Sequence, residues 1–186
     1  MTIYIATHNL HKLHEFSALL PCADFRADDP DAEETEKTFE GNALIKVRAI
    51  AARHCGDWCL ADDSGLEVDA LNGAPGVRSA RYAGEPSSTP ANNALLLRNL
   101  DGVENRRARF VCAIALVDPE GREHVVRGEC AGRIATAPSG AGGFGYDPLF
   151  IPDGYTQSFA DLADGEKNLI SHRARALAAA RRIVGR

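Results

Sequence analysis

The chain begins as a strand that feeds straight into a helix, and this order points to an α/β layered fold. Thr2 to Thr7 alternates apolar and polar side chains as a strand does. Leu10, Leu13, Phe16 and Leu20 then recur at helical spacing, and Pro21 marks the stop. Further on, Trp58-Cys59-Leu60-Ala61 reads as a short buried strand with Asp62-Asp63-Ser64-Gly65 at its apparent end. Ligands of open α/β sheets bind outside the carboxyl ends of strands, which puts this carboxylate pair at a candidate active-site edge. Successive side chains of extended backbone point to opposite faces, so one carboxylate lines a cleft and the other braces the turn. Taken alone, the same run also reads as a plain turn whose side chains bond their own backbone.

The remaining elements fill in between. The acidic stretch from Asp28 to Lys37 leads to a helix with Thr38 as N-cap and Phe39, Ala43, Val47 and Ile50 as its apolar stripe. Asn42 and Lys46, four residues apart, share another face of that helix and reach one pocket together. Leu66 to Leu71 reads as a strand, Asn72 to Gly76 as a tight loop, and Ala91 to Leu100 as a helix. Arg109 to Val117 and Glu123 to Ile134 form an antiparallel hairpin, because Asp118-Pro119-Glu120-Gly121 between them carries turn chemistry. A glycine-rich loop from Ser139 to Gly145 follows, and Ser171 to Val184 is an alanine-rich helix studded with arginines.

The 186 residues suit one domain with a substantial core, with room for two lobes around a cleft. A net charge of -5 argues against a protein that coats nucleic acid, but a local basic pocket or a divalent cation still admits a small anionic substrate. Five cysteines without a C-x-x-C pair read as reduced, mostly buried thiols of a cytoplasmic protein. The start of the chain has neither a basic region nor a long apolar run, so the expectation is no secretory signal and no membrane span.

Three constellations carry candidate chemistry. Thr7-His8-Asn9-Leu10-His11-Lys12 is a polar strand-to-helix loop whose backbone amides and Lys12 ammonium suit phosphate. It lacks P-loop glycine spacing, and it also reads as a simple turn capped by Asn9 with Lys12 in solvent. Glu33-Glu34 and Asp62-Asp63 flank the Lys46 helix and offer the hard oxygen ligands that Mg²⁺ prefers, although Glu33-Glu34 also reads as a solvated acidic loop. Phe144-Gly145-Tyr146-Asp147 with Lys167 and Ser171-His172-Arg173 offers a stacking face and hydrogen-bonding groups for a heterocycle. The competing assignment makes Phe144 and Tyr146 core aromatics and places His172 and Arg173 on an exposed helix.

In order along the chain, Thr7 to Lys12, Glu34 ahead of Thr38-Phe39, Asn42 to Lys46, Ala61 to Leu66, Gly73-Ala74-Pro75-Gly76, Ser79-Ala80-Arg81-Tyr82, Gly142 to Pro148, Glu166-Lys167 and Ser171-His172-Arg173 resemble the motifs of one family. The chain is similar to the noncanonical purine nucleoside triphosphate pyrophosphatases, also called the inosine triphosphate pyrophosphatase or HAM1-like family. The resemblance runs from about Ile3 to the last helix. It implies one domain over residues 1–186, made of two lobes with a central cleft on a long, mixed, twisted sheet flanked by helices, and a homodimer. It also implies Mg²⁺-dependent hydrolysis of inosine, deoxyinosine and xanthosine triphosphates to the monophosphate and pyrophosphate.

Carried over residue by residue, the resemblance gives the triphosphate to Thr7, His8, Asn9, Leu10, His11 and Lys12, with Lys46 adding a second cation. Glu34 and Asp63 would hold Mg²⁺, Asp63 would accept the proton, and Ser64 would touch substrate. Phe144, Gly145, Tyr146, Asp147, Lys167, His172 and Arg173 would form the pocket for base and sugar. Two positions depart from the family pattern: His8 stands where glycine is common, and Glu36 replaces a frequent glycine. With Glu36 present, Glu33 or Glu36 competes with Glu34 as ligand. Pyrophosphatases for a modified pyrimidine or methylated base, and nucleotide-binding proteins without turnover, would share much of this machinery.

Overall fold

The computed structural model describes residues 1–28 and 30–185; Asp29, within the acidic stretch, lies outside them. In chain order the elements are β1 (Thr2–Ile5), α1 (Leu10–Leu19), β2 (Asp24–Ala27), α2 (Phe39–Ala51), β3 (Trp58–Val68), α3 (Thr89–Asn99), β4 (Arg107–Val117), β5 (Glu123–Ile134), β6 (Phe150–Pro152), α4 (Asp164–Ile170) and α5 (His172–Val184). Two 3-10 turns, Asp69–Leu71 and Gly76–Arg81, lie between β3 and α3. The strands form one mixed sheet in the order β2-β1-β3-β4-β5-β6. β1 runs parallel to β2 and to β3, with Tyr4 opposite Arg26 and Cys59, whereas β5 and β6 are antiparallel, with Arg133 opposite Ile151.

The expected break at Asp62 does not occur. β3 continues in extended conformation through Asp62, Asp63, Ser64 and Gly65 to Val68, so the two expected strands are one, and residues 69–71 turn into a 3-10 helix. Asp62 and Asp63 are buried and bonded to side chains elsewhere in the fold, which removes the need to satisfy them within a local turn. The hairpin joint is as expected: Gly121 N donates to Asp118 O at 2.9 Å and Asp118 N to Arg122 O at 3.1 Å. A connection this short joins antiparallel neighbours.

The chain folds as two compact units. The first comprises residues 1–63, 112–128 and the C-terminal segment from His172. Ile3, Ile5, Phe16, Leu20, Leu60, Ile114, Leu116, Ala176 and Leu177 form its core, so α1 and α5 cover one face of β1 and its neighbours. Tyr4 points the other way and stacks on His54, just after α2, at a centroid distance of 3.5 Å, so strand alternation places α2 on the opposite face. Asn9 and Thr38 cap α1 and α2 with their side-chain oxygens. Gly128 lets β5 approach α5, since a Cβ there would meet His172 O at 2.3 Å and Ala176 N at 2.2 Å.

The second unit comprises residues 64–111 and 129–171. Leu66, Val68, Leu96, Leu100, Cys130, Ile134, Leu149 and three phenylalanines fill its core. Phe110, Phe150 and Phe159 pack mutually, with ring centroids 4.7, 5.1 and 5.9 Å apart. Tyr146 belongs to this core as well. Cys59, Cys112 and Cys130 are buried thiols, while Cys22 and Cys55 are exposed. No helix among the described residues is long and apolar enough to cross a membrane.

Candidate active site

β3 delivers two buried carboxylates side by side and gives them different partners. Asp62, 1% exposed, takes the Lys12 ammonium at 2.9 Å and lies 3.7 Å from Arg173 Nη2. Burial alone pushes its carboxyl up, but Lys12 and Arg173 outweigh this and hold it well below the usual carboxylate range. Arg173 itself is fully buried, also pairs with Glu15, and lies over the Phe16 ring. The competing assignment of His172 and Arg173 to an exposed helix therefore fails, since both are buried. Cys112 Sγ lies 4.0 Å from Asp62 Oδ2, and burial pushes its thiol up to about 12, so it is inert.

Asp63 faces α2. Its Oδ2 accepts from Asn42 Nδ2 at 3.0 Å, and Lys46 Nζ stands 4.0 Å from its Oδ1. Burial raises this carboxyl above its ordinary range, with Glu34 adding to the effect against the pull of Lys46. Lys46 also donates to Glu34 Oε1 at 2.8 Å and to the Asp62 carbonyl at 2.6 Å. Burial would lower the ammonium, but Asp62, Asp63 and Glu34 keep it charged and raised. Asn42 and Lys46 thus meet the same carboxylate from consecutive turns of α2, as their spacing predicts.

Glu34 and Asp63 both face the Lys46 ammonium, at 2.8 and 4.0 Å. Two carboxylates completed by water and substrate phosphates suit Mg²⁺. Among the described residues no group of three or more His, Cys, Asp or Glu side chains is placed to hold a metal ion. Glu33 is exposed. Glu36 has its side chain over Gly41, and its amide is bonded to Asn42 Oδ1 at 2.9 Å.

In the first loop, Thr7 Oγ1 accepts from Asn9 N at 3.1 Å, and Asn9 Oδ1 accepts from His11 N and Lys12 N at 3.0 and 3.3 Å. The cap therefore consumes two of the helix-start amides considered for phosphate. Lys12 is drawn onto Asp62 and is not in solvent. His8, Leu10 and His11 are exposed on this loop.

Of the residues expected around the base, Phe144, Asp147 and Lys167 come together in the second unit, whereas His172 and Arg173 belong to the first. Lys167, 5% exposed, donates to Asp147 Oδ2 at 2.8 Å and lies 5.1 Å from the Phe144 centroid and 5.8 Å from that of Phe159. Asp147 Oδ2 also accepts from Phe144 N at 2.8 Å. Gly143, at φ +68°, makes room for this carboxylate, since a Cβ there would lie 2.1 Å from Asp147 Oδ2. Phe144 and Gly145 are half-buried, and so is Ser64. Tyr146 is buried at 4%, and its hydroxyl donates to Ser79 O at 2.8 Å, so of the two aromatics Tyr146 is the core residue. His172 is buried in the first unit, at the start of α5.

A family model described as the Ham1 family matches residues 3–183. The chain belongs to the Ham1 family. A relative from an Exiguobacterium species, named dITP/XTP pyrophosphatase, is 50% identical over 184 residues, covering 95% of this chain and 93% of its own. Among solved Ham1-family structures, the Staphylococcus aureus Ham1 protein superposes with a TM-score of 0.89 at 40% identity, covering 100% of this chain and 98% of its own. A Mycobacterium abscessus protein, described as a nucleoside-triphosphatase and dITP/XTP pyrophosphatase, gives 0.77 at 46% identity with 97% of both chains covered.

The Ham1 motifs did not mark every residue the site uses. Glu15, which neutralises Arg173, reads in sequence as an ordinary polar position on α1. Ser79 lies within the motif Ser79-Ala80-Arg81-Tyr82 but was given no role; its hydroxyl accepts from Leu66 N at 2.9 Å and its carbonyl holds Tyr146. Asn92 and Asn93, at the start of α3, were signalled only by their polarity within a helix.

Proposed function

We propose that this Ham1-family protein hydrolyses dITP, ITP and XTP to the nucleoside monophosphate and pyrophosphate with Mg²⁺, clearing deaminated purines from the nucleotide pool. The observation that carries this reading is the convergence of Glu34 and Asp63 on one ammonium, with Asp63 held by a neutral amide. The names of the relatives, dITP/XTP pyrophosphatase, support the substrate class.

A nucleoside triphosphate carries about four negative charges, which repel an attacking oxygen until they are neutralised. Lys12 and Lys46 would supply part of that charge; an ammonium has three donors, so Lys12 can hold Asp62 and still reach a phosphate. Glu34 and Asp63 would hold Mg²⁺, which when bound screens the phosphate oxygens and lowers the pKa of water. Asp63 would take the proton from the water that attacks the α-phosphorus. The Asn42 amide would orient it for that transfer.

Base choice would rest on Lys167 and Phe144. Hypoxanthine and xanthine present a carbonyl at position 6 where adenine presents an amino group, so a buried ammonium favours the former and is left mismatched by the latter. Asp147 and the two rings aim that ammonium. The same reading has the protein act as a homodimer in the cytoplasm. A panel of dITP, XTP, dATP and dGTP with Mg²⁺ tests it: the first two should turn over at least about 100-fold faster than dATP, and equal rates on all four would overturn it.

A further inference from the structure

The first turn of α3 carries two adjacent asparagines, and neither touches the carboxylates of β3 or the Lys167 ammonium. Asn92, 4% exposed, accepts from Ala83 N at 2.7 Å and donates to Ala80 O and Ser79 O at 2.9 and 3.4 Å, locking the end of the 3-10 turn before it. Neighbours on a helix point about 100° apart, so Asn93 reaches a different target. Its Nδ2 donates to Gly145 O at 3.1 Å. Tyr146 OH closes the circuit by donating to Ser79 O at 2.8 Å. One helical turn therefore grips the carbonyl directly after Phe144 and, through Ser79, the residue beyond it.

Phe144 needs that grip. It sits between Gly143 at φ +68° and Gly145 at φ +61°, two residues whose backbones are unrestrained by a side chain. On the N-terminal side Phe144 N is held by Asp147 Oδ2. On the C-terminal side the Gly145 carbonyl is held by Asn93. The position of the Phe144 ring over the Lys167 ammonium depends on both ends being fixed.

The bond is not explained by stability. Asn93 Oδ1 is buried and accepts no hydrogen bond from the described residues. The cost of such an acceptor is comparable to the gain from one amide–carbonyl bond, so the side chain contributes little net free energy to the fold. An asparagine at such a position points to a positional role.

We propose that Asn93 is a positioning residue for nucleobase recognition: by holding the Gly145 carbonyl it sets the Phe144 ring against Lys167. The inference rests on the assignment of Phe144 and Lys167 to the base. Asn93→Asp keeps the outline but replaces the donor with a charged acceptor facing the Gly145 carbonyl, Asn93→Ala removes the side chain, and Asn93→Gln restores the donor on a longer arm. KM for dITP should rise about three- to tenfold in the Asp and Ala variants, as loss of one neutral hydrogen bond implies, with kcat nearly unchanged and partial recovery in the Gln variant. The thermal midpoint of the Ala variant should stay within about 3 °C of the parent.

Amide hydrogen exchange of residues 143–147 provides a readout that needs no turnover: it should be faster in the Asp and Ala variants. An unchanged KM with unchanged exchange, or a large fall in thermal midpoint with no change in KM, would overturn the proposal. If the parent protein fails to turn over dITP, the assignment of function falls, and the exchange comparison still decides whether Asn93 holds the loop.

Discussion

Asn42 Nδ2 donates to Asp63 Oδ2 at 3.0 Å, so a neutral amide on α2 steadies the β3 carboxylate without placing a charge against it. The other end of the same amide accepts from Glu36 N at 2.9 Å and so ties down the segment that carries Glu34. One side chain orients the proposed base and its partner carboxylate together.

The roles of Asn42 and Asp63 should separate by degree. Asp63→Asn should lower kcat on dITP by about 10²–10⁴-fold, the range of general-base catalysis, with the circular dichroism spectrum retained. Asn42→Ala should lower kcat by about 10- to 100-fold, as for groups that orient a catalytic residue. Full activity in the Asp63 variant would remove it as the base.

Asp62 should matter to stability. Replacing it by Asn strips Lys12 and the buried Arg173 of a partner, and breaking a buried pair in this way costs about 3–5 kcal/mol. The parent should also show an acid-dependent loss that the variant lacks. The folded carboxyl is held below its ordinary value of 3.8, so near that pH the unfolded chain binds more protons than the folded one. The contribution is therefore present above about pH 4 and fades as pH falls below it. Urea unfolding of both proteins from about pH 7 down to about pH 3 measures the difference across that window; parallel curves would contradict this role for Asp62.

Lys167 should control base choice. Lys167→Met should lower kcat/KM for dITP by about 10- to 100-fold, the equivalent of one charged hydrogen bond, and narrow the preference over dATP. Binding of inorganic triphosphate, measured calorimetrically, should change little. A uniform loss for both nucleotides would place Lys167 outside base recognition.

What the sequence revealed, and what it hid, follows from how local each interaction is. The Thr38 cap, the α2 stripe and the Asn42–Lys46 pair depend on spacings of a few residues, and all three were legible. The continuity of β3 was not, because Asp62 and Asp63 look like turn residues until Lys12, Asn42, Lys46 and Arg173 come from other elements to satisfy them. β2 and β6 were missed since strands of four and three residues carry too few positions to show alternation. α4 was missed because its seven residues begin without a side-chain cap. Phe144 and Tyr146 look alike in sequence, and only the Tyr146–Ser79 bond tells the core aromatic from the half-buried one.

The inorganic product of dITP hydrolysis tests the central claim most directly. Phosphorus NMR of the purified protein turning over dITP with Mg²⁺ should show dIMP and pyrophosphate appearing together in equal amounts, with no orthophosphate. Release of orthophosphate with dIDP would mean attack at the terminal phosphorus and would contradict the proposed roles of Asp63, Glu34 and Lys46.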